Sequence, residues 1–244
     1  MDDNTEAIVR MCWARLLGLT DTALTRPGLL PHPVPGSDRL RVLTLFDTTV
    51  VLGDPAALDR LSSAAAAHST ALTALLTALG PDVRLRADVR LHHGADYPPA
   101  PVLPSPSSTD EPEALIDTDP ATAAQVWSTL PPDDRAPEAA DEGAPETVLT
   151  LLDADHRPVA TGGYRIRAGM LADLTVVTAP DHRRAGHGLT LTRALTEHAL
   201  DAGLIPQLQH TAGATGAAAL AARVPMVATG ALLEFTVPDA VTGP

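Results

Sequence analysis

The chain has 244 residues and a net charge of −13, with 45% hydrophobic and 2% aromatic residues. That supplies apolar material for a substantial core and excludes a disordered chain, while the acidity and the shortage of aromatic rings exclude the basic footprint and stacking platforms that nucleic-acid binding needs. All 17 basic side chains are arginine, so a phosphate loop ending in lysine, a Schiff base and a kinase-type lysine are excluded as well.

Taken in chain order, residues 5–19 read as a helix, because Ile8, Val9, Cys12, Leu16 and Leu17 recur at helical spacing, with Asn4 as its N-cap. A Pro/Gly-rich loop follows from Arg26 to Ser37. Arg39 to Leu52 alternates and is β-branched, which predicts one or two strands. Asp54 to Gly80 predicts two alanine- and leucine-rich helices broken near His68. Val83 to His92 alternates and predicts a strand. Tyr97 to Pro112 is Pro/Ser-rich and reads as a linker. Thr122 to Leu130 predicts a short helix carrying Trp127, and Pro131 to Pro145 reads as an acidic mobile loop.

The second half is patterned more sharply. Thr147 to Leu152 and Val159 to Arg167 predict a hairpin around the turn Asp153 to Pro158, and Leu171 to Val177 predicts a third strand. A Pro/Arg/Gly loop, Ala179 to Gly188, leads into a helix over Leu189 to Ala202 that Gly203 stops. Ile205 to His210 predicts a strand, Thr215 to Arg223 a helix, and Val227 to Val237 a final strand or hairpin.

The strand, loop and helix over Leu171 to Ala202 carry the chemistry. The loop reads Pro180-Asp181-His182-Arg183-Arg184-Ala185-Gly186-His187-Gly188. Its glycines let backbone approach a ligand, the helix start offers unpaired N–H groups and a positive dipole end, and Arg183 and Arg184 add charge. Together they predict an anion site suited to a pyrophosphate. Arg183-x-x-Gly186-x-Gly188, after a strand and before a helix, resembles motif A of the GNAT (GCN5-related N-acetyltransferase) superfamily. The resemblance covers roughly residues 147 to 237, including the hairpin before the motif strand and the segment Gly203-Leu204-Ile205-Pro206-Gln207 after the motif helix.

The resemblance implies acetyl-CoA as co-substrate, bound by Arg183, Arg184, Ala185, Gly186, His187 and Gly188. It implies a motif strand splayed from its neighbour, so that the backbone of Thr175, Val176 and Val177 pairs with the pantetheine arm. It further implies direct attack of an amine on the thioester. This sequence departs from the family twice: Thr215 to Arg223 holds no tyrosine to protonate the thiolate, and the usual Gly-Phe is Pro225-Met226. Candidate bases are Asp173, His210 and Glu234. Asp173 reads equally as a satisfied polar residue at a strand edge and His210 as a polar strand terminus. His182 and His187 read as exposed loop residues, since no third metal ligand stands near them in sequence. His92-His93 reads as a surface pair, and Tyr164 and Phe235 as core.

No Gly-x-Ser-x-Gly elbow and no Gly-x-Gly-x-x-Gly dinucleotide fingerprint occur. Cys12 is the only cysteine, which excludes an intrachain disulfide and cysteine-rich zinc sites. The acidic start Met1-Asp2-Asp3 and the lack of any apolar run of ~18 residues lead us to expect neither a signal peptide nor a membrane span, and a cytoplasmic location. The expected architecture is an α/β protein with a mixed twisted sheet flanked by helices. Residues 111–244 form the acyl-CoA-binding part, and residues 1–110 are either a degenerate second GNAT-like half or an added α/β module. The expected function is acetyl transfer to a small-molecule or protein amine. The alternatives are a non-catalytic CoA-binding module and a structural half of a larger complex. No metal and no nucleic-acid or membrane partner are expected.

Overall fold

The computed structural model of the chain describes residues 1–65, 79–94, 115–132, 145 and 147–237. The elements in order are α1 (Asp3–Leu16), β1 (Gly28–Pro33), β2 (Arg39–Leu45), β3 (Thr48–Gly53), α2 (Pro55–Ala65), β4 (Arg84–Gly94), β5 (Leu115–Asp117) and α3 (Pro120–Thr129). They continue with β6 (Thr147–Leu152), β7 (Pro158–Arg167), β8 (Leu171–Thr178), α4 (His187–Asp201), β9 (Ile205–Thr211), α5 (Thr215–Ala221) and β10 (Met226–Thr236). All ten strands join one mixed sheet in the order β1-β3-β2-β10-β4-β9-β8-β7-β6-β5.

The helices cover both faces, as strand alternation dictates. Leu43 and Leu45 of β2 point to the side of α1, where they share a cluster with Val9, Cys12, Trp13, Leu91, Leu171 and Ile205. Leu40 and Val42 point the other way, into a cluster with α2 residues Ala57, Leu58 and Leu61 and with Phe235. The α4 residues Leu191, Leu195 and Ala199 pack with Tyr164, Ala172, Leu174 and Leu208. Tyr164 and Phe235 are core residues, at 3% and 0% exposure. On α1, buried Arg10 is bonded to Glu6 and Asp47, to the Leu24 carbonyl and to Thr48, which ties the helix to the β2–β3 turn.

Two local expectations change and one open alternative is decided. Residues 28–33 form an edge strand, not a loop: β1 pairs in parallel with β3. Its Pro31 and Pro33 are tolerated because one side of an edge strand asks for no ladder donors. The last segment, expected as a strand or a hairpin, is a single strand, flanked on both sides and antiparallel to β2 and to β4. The N-cap of α1 is Asp2, whose carboxylate accepts from the Thr5 N–H at 2.7 Å, not Asn4. The second helix expected before Gly80, the linker over 97–112 and most of the acidic segment after Pro131 lie outside the described residues.

Insertion of β10 requires close backbone approach at Gly230, next to a register shift on the β4 side. A Cβ there would run into the Thr44 carbonyl. Gly230→Ala is expected to destabilise the fold by about 2–3 kcal/mol. An unchanged urea midpoint would show that β2 and β10 do not approach this closely.

Candidate functional site

The site begins where two parallel strands separate. β8 pairs with β9 from Leu171–Ile205 to Leu174–Leu208 and no further. β8 continues to Thr178 with β7 as its partner on the other side. β9 instead turns to β4, with Gln209, His210 and Thr211 opposite Leu91, Arg90 and Val89. Among the described residues, one edge of β8 from Thr175 to Thr178 therefore has no strand beside it. Backbone groups left open in this way need another partner.

The chain leaving β8 makes a 3-10 turn at Pro180–His182 and then enters α4 through Gly186. Gly186 has φ 91° and caps α4 without any side-chain hydrogen bond. That left-handed conformation suits glycine. Arg184 is also left-handed, at φ 64°. The Arg183 Nε donates to the Thr178 carbonyl at 3.3 Å, which pins the loop to the end of β8. Among the described residues, the backbone N–H groups of Arg184 to Gly188 meet no protein acceptor, while those of Leu189 and Thr190 return to the Gly186 carbonyl. A run of such N–H groups at a helix start beside exposed arginines has the donor arrangement that suits an anion.

The loop and the open edge of β8 share a cleft of about 770 Å³. Val176, Val177, Arg183, Arg184, Gly186, His187 and Gly188 line it, and Thr175 and Ala185 flank these residues in sequence. The opposite wall is α5 with the turn before it, ending at Arg223, and Leu130 after α3 closes one side. Neither Arg223 nor Leu130 carried a motif that singled it out. His182 and His187 stand at the two ends of the loop with ring centroids 6.3 Å apart.

The three candidate bases are not brought together, and none of them lines the cleft. Asp173 lies on the α1 side of the sheet, on the same face as Leu171. Its Oδ1 accepts from Gln207 Nε2 and Gln209 Nε2, both at 3.1 Å, and its Oδ2 is 3.6 Å from Arg167 Nε. His210 lies on the opposite face and stacks on His92, with Nε2 atoms 3.2 Å apart and its Nδ1–H donated to the Thr211 carbonyl at 2.9 Å. Burial, then the neighbouring His210, push the His92 pKa down. Glu234 is on β10 in an ion pair with Arg39 at 3.1 Å.

The pair His92-His93 is not a surface pair, because His93 is fully buried. It belongs to a polar chain that the sequence reading missed. His93 Nδ1 is 2.7 Å from Thr229 Oγ1, and its Nε2 is 2.8 Å from Gln207 Oε1. Trp13 Nε1 donates to the same Gln207 oxygen at 3.1 Å. The signal that was available is the pair Gln207 and Gln209 at strand spacing on β9, on the same face as apolar Ile205. Among the described residues, no three His, Cys, Asp or Glu side chains gather as metal ligands, and no helix is long and apolar enough to cross a membrane.

Comparison with known proteins gives one family. Residues 113–224 match the model of the acetyltransferase (GNAT) family. Similar solved structures include a GCN5-related N-acetyltransferase from Kribbella flavida, at 19% identity over 77% of this chain and 76% of that one, with a TM-score of 0.47. Another is an acetyltransferase of the GNAT family from Colwellia psychrerythraea, at 16% identity over 68% of this chain and 60% of that one, with a TM-score of 0.45. No curated protein sequence matches the chain significantly.

Burial pushes the His93 pKa from 6.5 down to about 4, against the raising effect of its bond to Gln207. The unfolded chain then takes up this proton before the folded one does as pH falls. The contribution to stability is fully present above pH 6.5 and is lost as pH falls toward 4, by about 3 kcal/mol. Urea unfolding at a series of pH values is expected to show that slope in the native chain and to lose it in His93→Phe. Equal slopes would mean that His93 is protonated in the fold.

Proposed function

Residues 113–224 are a domain of the acetyltransferase (GNAT) family, and from that premise we propose that the chain moves an acetyl group from acetyl-CoA to a primary amine. The observation that carries this reading is the parting of β8 from β9 beside a loop built to receive an anion. Loop 183–188 takes the pyrophosphate through backbone N–H groups and the two arginines. The open edge of β8 at Thr175, Val176 and Val177 takes the amide-bearing arm as an added strand. The residues fit such a ligand: among the described residues the backbone N–H groups of Arg184 to Gly188 meet no protein acceptor, and Gly186 removes side-chain bulk where the backbone turns.

Acetyl-CoA supplies the thioester. The amine nitrogen attacks its carbonyl carbon, the C–S bond breaks, and the sulfur departs as thiolate. A thiol pKa of ~8.5 makes that leaving group tolerable near neutral pH without a dedicated acid, which matters because α5 carries no tyrosine. The amine is the harder partner, since an alkylammonium of pKa ~10.4 must first lose a proton. Of the three candidate bases, Asp173 lies nearest the point where the strands part, one position before the last β8–β9 pair. Acceptors are amines of small molecules or of proteins, and the net charge of −13 favours cationic ones.

The missing tyrosine supports a second reading, a CoA-binding module without turnover. Calorimetric titration with acetyl-CoA is expected to give micromolar binding that weakens about tenfold in Arg184→Ala. Thiol release with a panel of amines is the companion assay. Binding without release for every amine selects the non-catalytic module, and no binding at all defeats both readings.

A further inference from the structure

The buried polar chain ending on Asp173 has a direction. A carboxylate only accepts, so Gln207 must turn Nε2–H toward Asp173 and Oε1 away from it. Oε1 also only accepts, so His93 Nε2 must carry a proton to reach it at 2.8 Å. The Trp13 proton then goes to that same oxygen at 3.1 Å, not to His93 Nε2 at 3.3 Å. Neutral His93 is left with a lone pair on Nδ1, which receives the Thr229 hydroxyl at 2.7 Å in preference to the Leu91 carbonyl at 3.2 Å, since two lone pairs would otherwise face each other at the shorter distance. Every donor points one way: Thr229 to His93, His93 and Trp13 to Gln207, Gln207 to Asp173. Aligned bonds polarise one another in a low-dielectric interior, and this alignment favours negative charge at its end.

Its placement is equally specific. Trp13, His93 and Gln207 are 5%, 0% and 1% exposed, and Thr229 is 4% exposed, whereas the Asp173 side chain keeps 19% of its surface accessible. The one end of the chain that reaches solvent is the carboxylate, whose Oδ2 also has the Arg167 guanidinium 3.6 Å away, so the polar chain and Arg167 both favour its ionised form. Gln209, which also donates to it, lies just past the last β8–β9 pair. The members come from α1, β4, β9 and β10, so three residues outside the family match, Trp13, His93 and Thr229, act through Gln207 on Asp173, both inside it.

We propose that Thr229, His93 and Gln207, braced by Trp13, are positioning residues that hold Asp173 as an ionised anchor for the ammonium group of the acceptor. The proposal rests on the acyl-transfer reading for the identity of the group anchored. It assigns residues 1–94 a part in acceptor recognition and names the acceptor class as amines that bind in their cationic form. A carboxylate held this way receives the ammonium by charge and takes or passes on its proton as the nitrogen turns toward the thioester.

The test is the titration of Asp173 itself, followed by carboxyl-carbon NMR of the full chain with labelled aspartate and assigned with Asp173→Asn. Gln207→Leu is expected to move that titration up by about half a pH unit or more, and Thr229→Val to move it less in the same direction. Thr229→Val removes one hydroxyl at nearly constant shape, so it keeps the test open should Gln207→Leu fail to fold. An unmoved titration in the folded variants overturns the proposal. With any amine that the native chain acetylates, Gln207→Leu should raise the KM for the amine about tenfold and shift the acidic limb of kcat/KM together with the Asp173 titration. A lowered kcat with unchanged KM and an unshifted limb overturns it. Failure of the native chain to bind acetyl-CoA counts against the acyl-transfer reading, while the NMR titration still decides whether the chain acts on Asp173.

Discussion

The pairing of β10 on both sides is the constraint on which the sheet depends. It is antiparallel to β2 along one edge and to β4 along the other. Without it, β2 and β4 would each show an unpaired row of N–H and C=O groups, which costs free energy when buried and invites association when exposed. Gly230 is the local requirement for that insertion, since only a residue without Cβ lets the Thr44 carbonyl come so near. The same strand brings Thr229 beneath α1, where its hydroxyl meets His93. Closure of the sheet and completion of the polar chain are thus one event.

Against that continuity, the gap between β8 and β9 stands out. Nine strand pairings hold the ten strands in one sheet, yet the β8–β9 pairing stops at Leu174–Leu208. β9 stays paired with β4 from Gln207 to Thr211 while it leaves β8, and Asp173 bridges the start of the gap through Gln209. Apolar side chains at 93, 207 and 229 would fill the same space without the cost of burying polar atoms. The polar set makes sense only with a carboxylate to serve, and that carboxylate sits where the strands divide.

Much of this was legible in the sequence because it is local. The hairpin over 147–167, the strand from Leu171, the Arg/Gly loop and the helix that follows are set by alternation, turn residues and 3.6-residue spacing, all of which act within a short window. The loop geometry was legible for the same reason, since one continuous segment supplies its glycines, its arginines and the helix start. What was missed is nonlocal. Strand Gly28–Pro33 has the composition of a loop and becomes a strand only because β3 lies beside it. The segment after Val227 reads as a strand or a hairpin, and the choice between them waits on β2 and β4, which flank it. His93 reads as the twin of His92, and only the third dimension puts one under Trp13 and the other against His210. Asp173 was a candidate from its strand alone, and the partners that define it come from α1, β4, β9 and β10.

The chain contains two tryptophans, and the fold puts them in unlike surroundings. Trp13 is 5% exposed, with its indole proton committed to Gln207. Trp127 is half-buried on α3, three residues before the Leu130 that helps to wall the cleft. Indole emission moves to longer wavelength as its surroundings become more polar, so the native spectrum is the sum of a blue component from beneath α1 and a redder one from beside the cleft. A break in the polar chain acts on the blue component, because Trp13 belongs to that chain and Trp127 does not. The buried indole is thus an optical reporter of the chain that ends on Asp173.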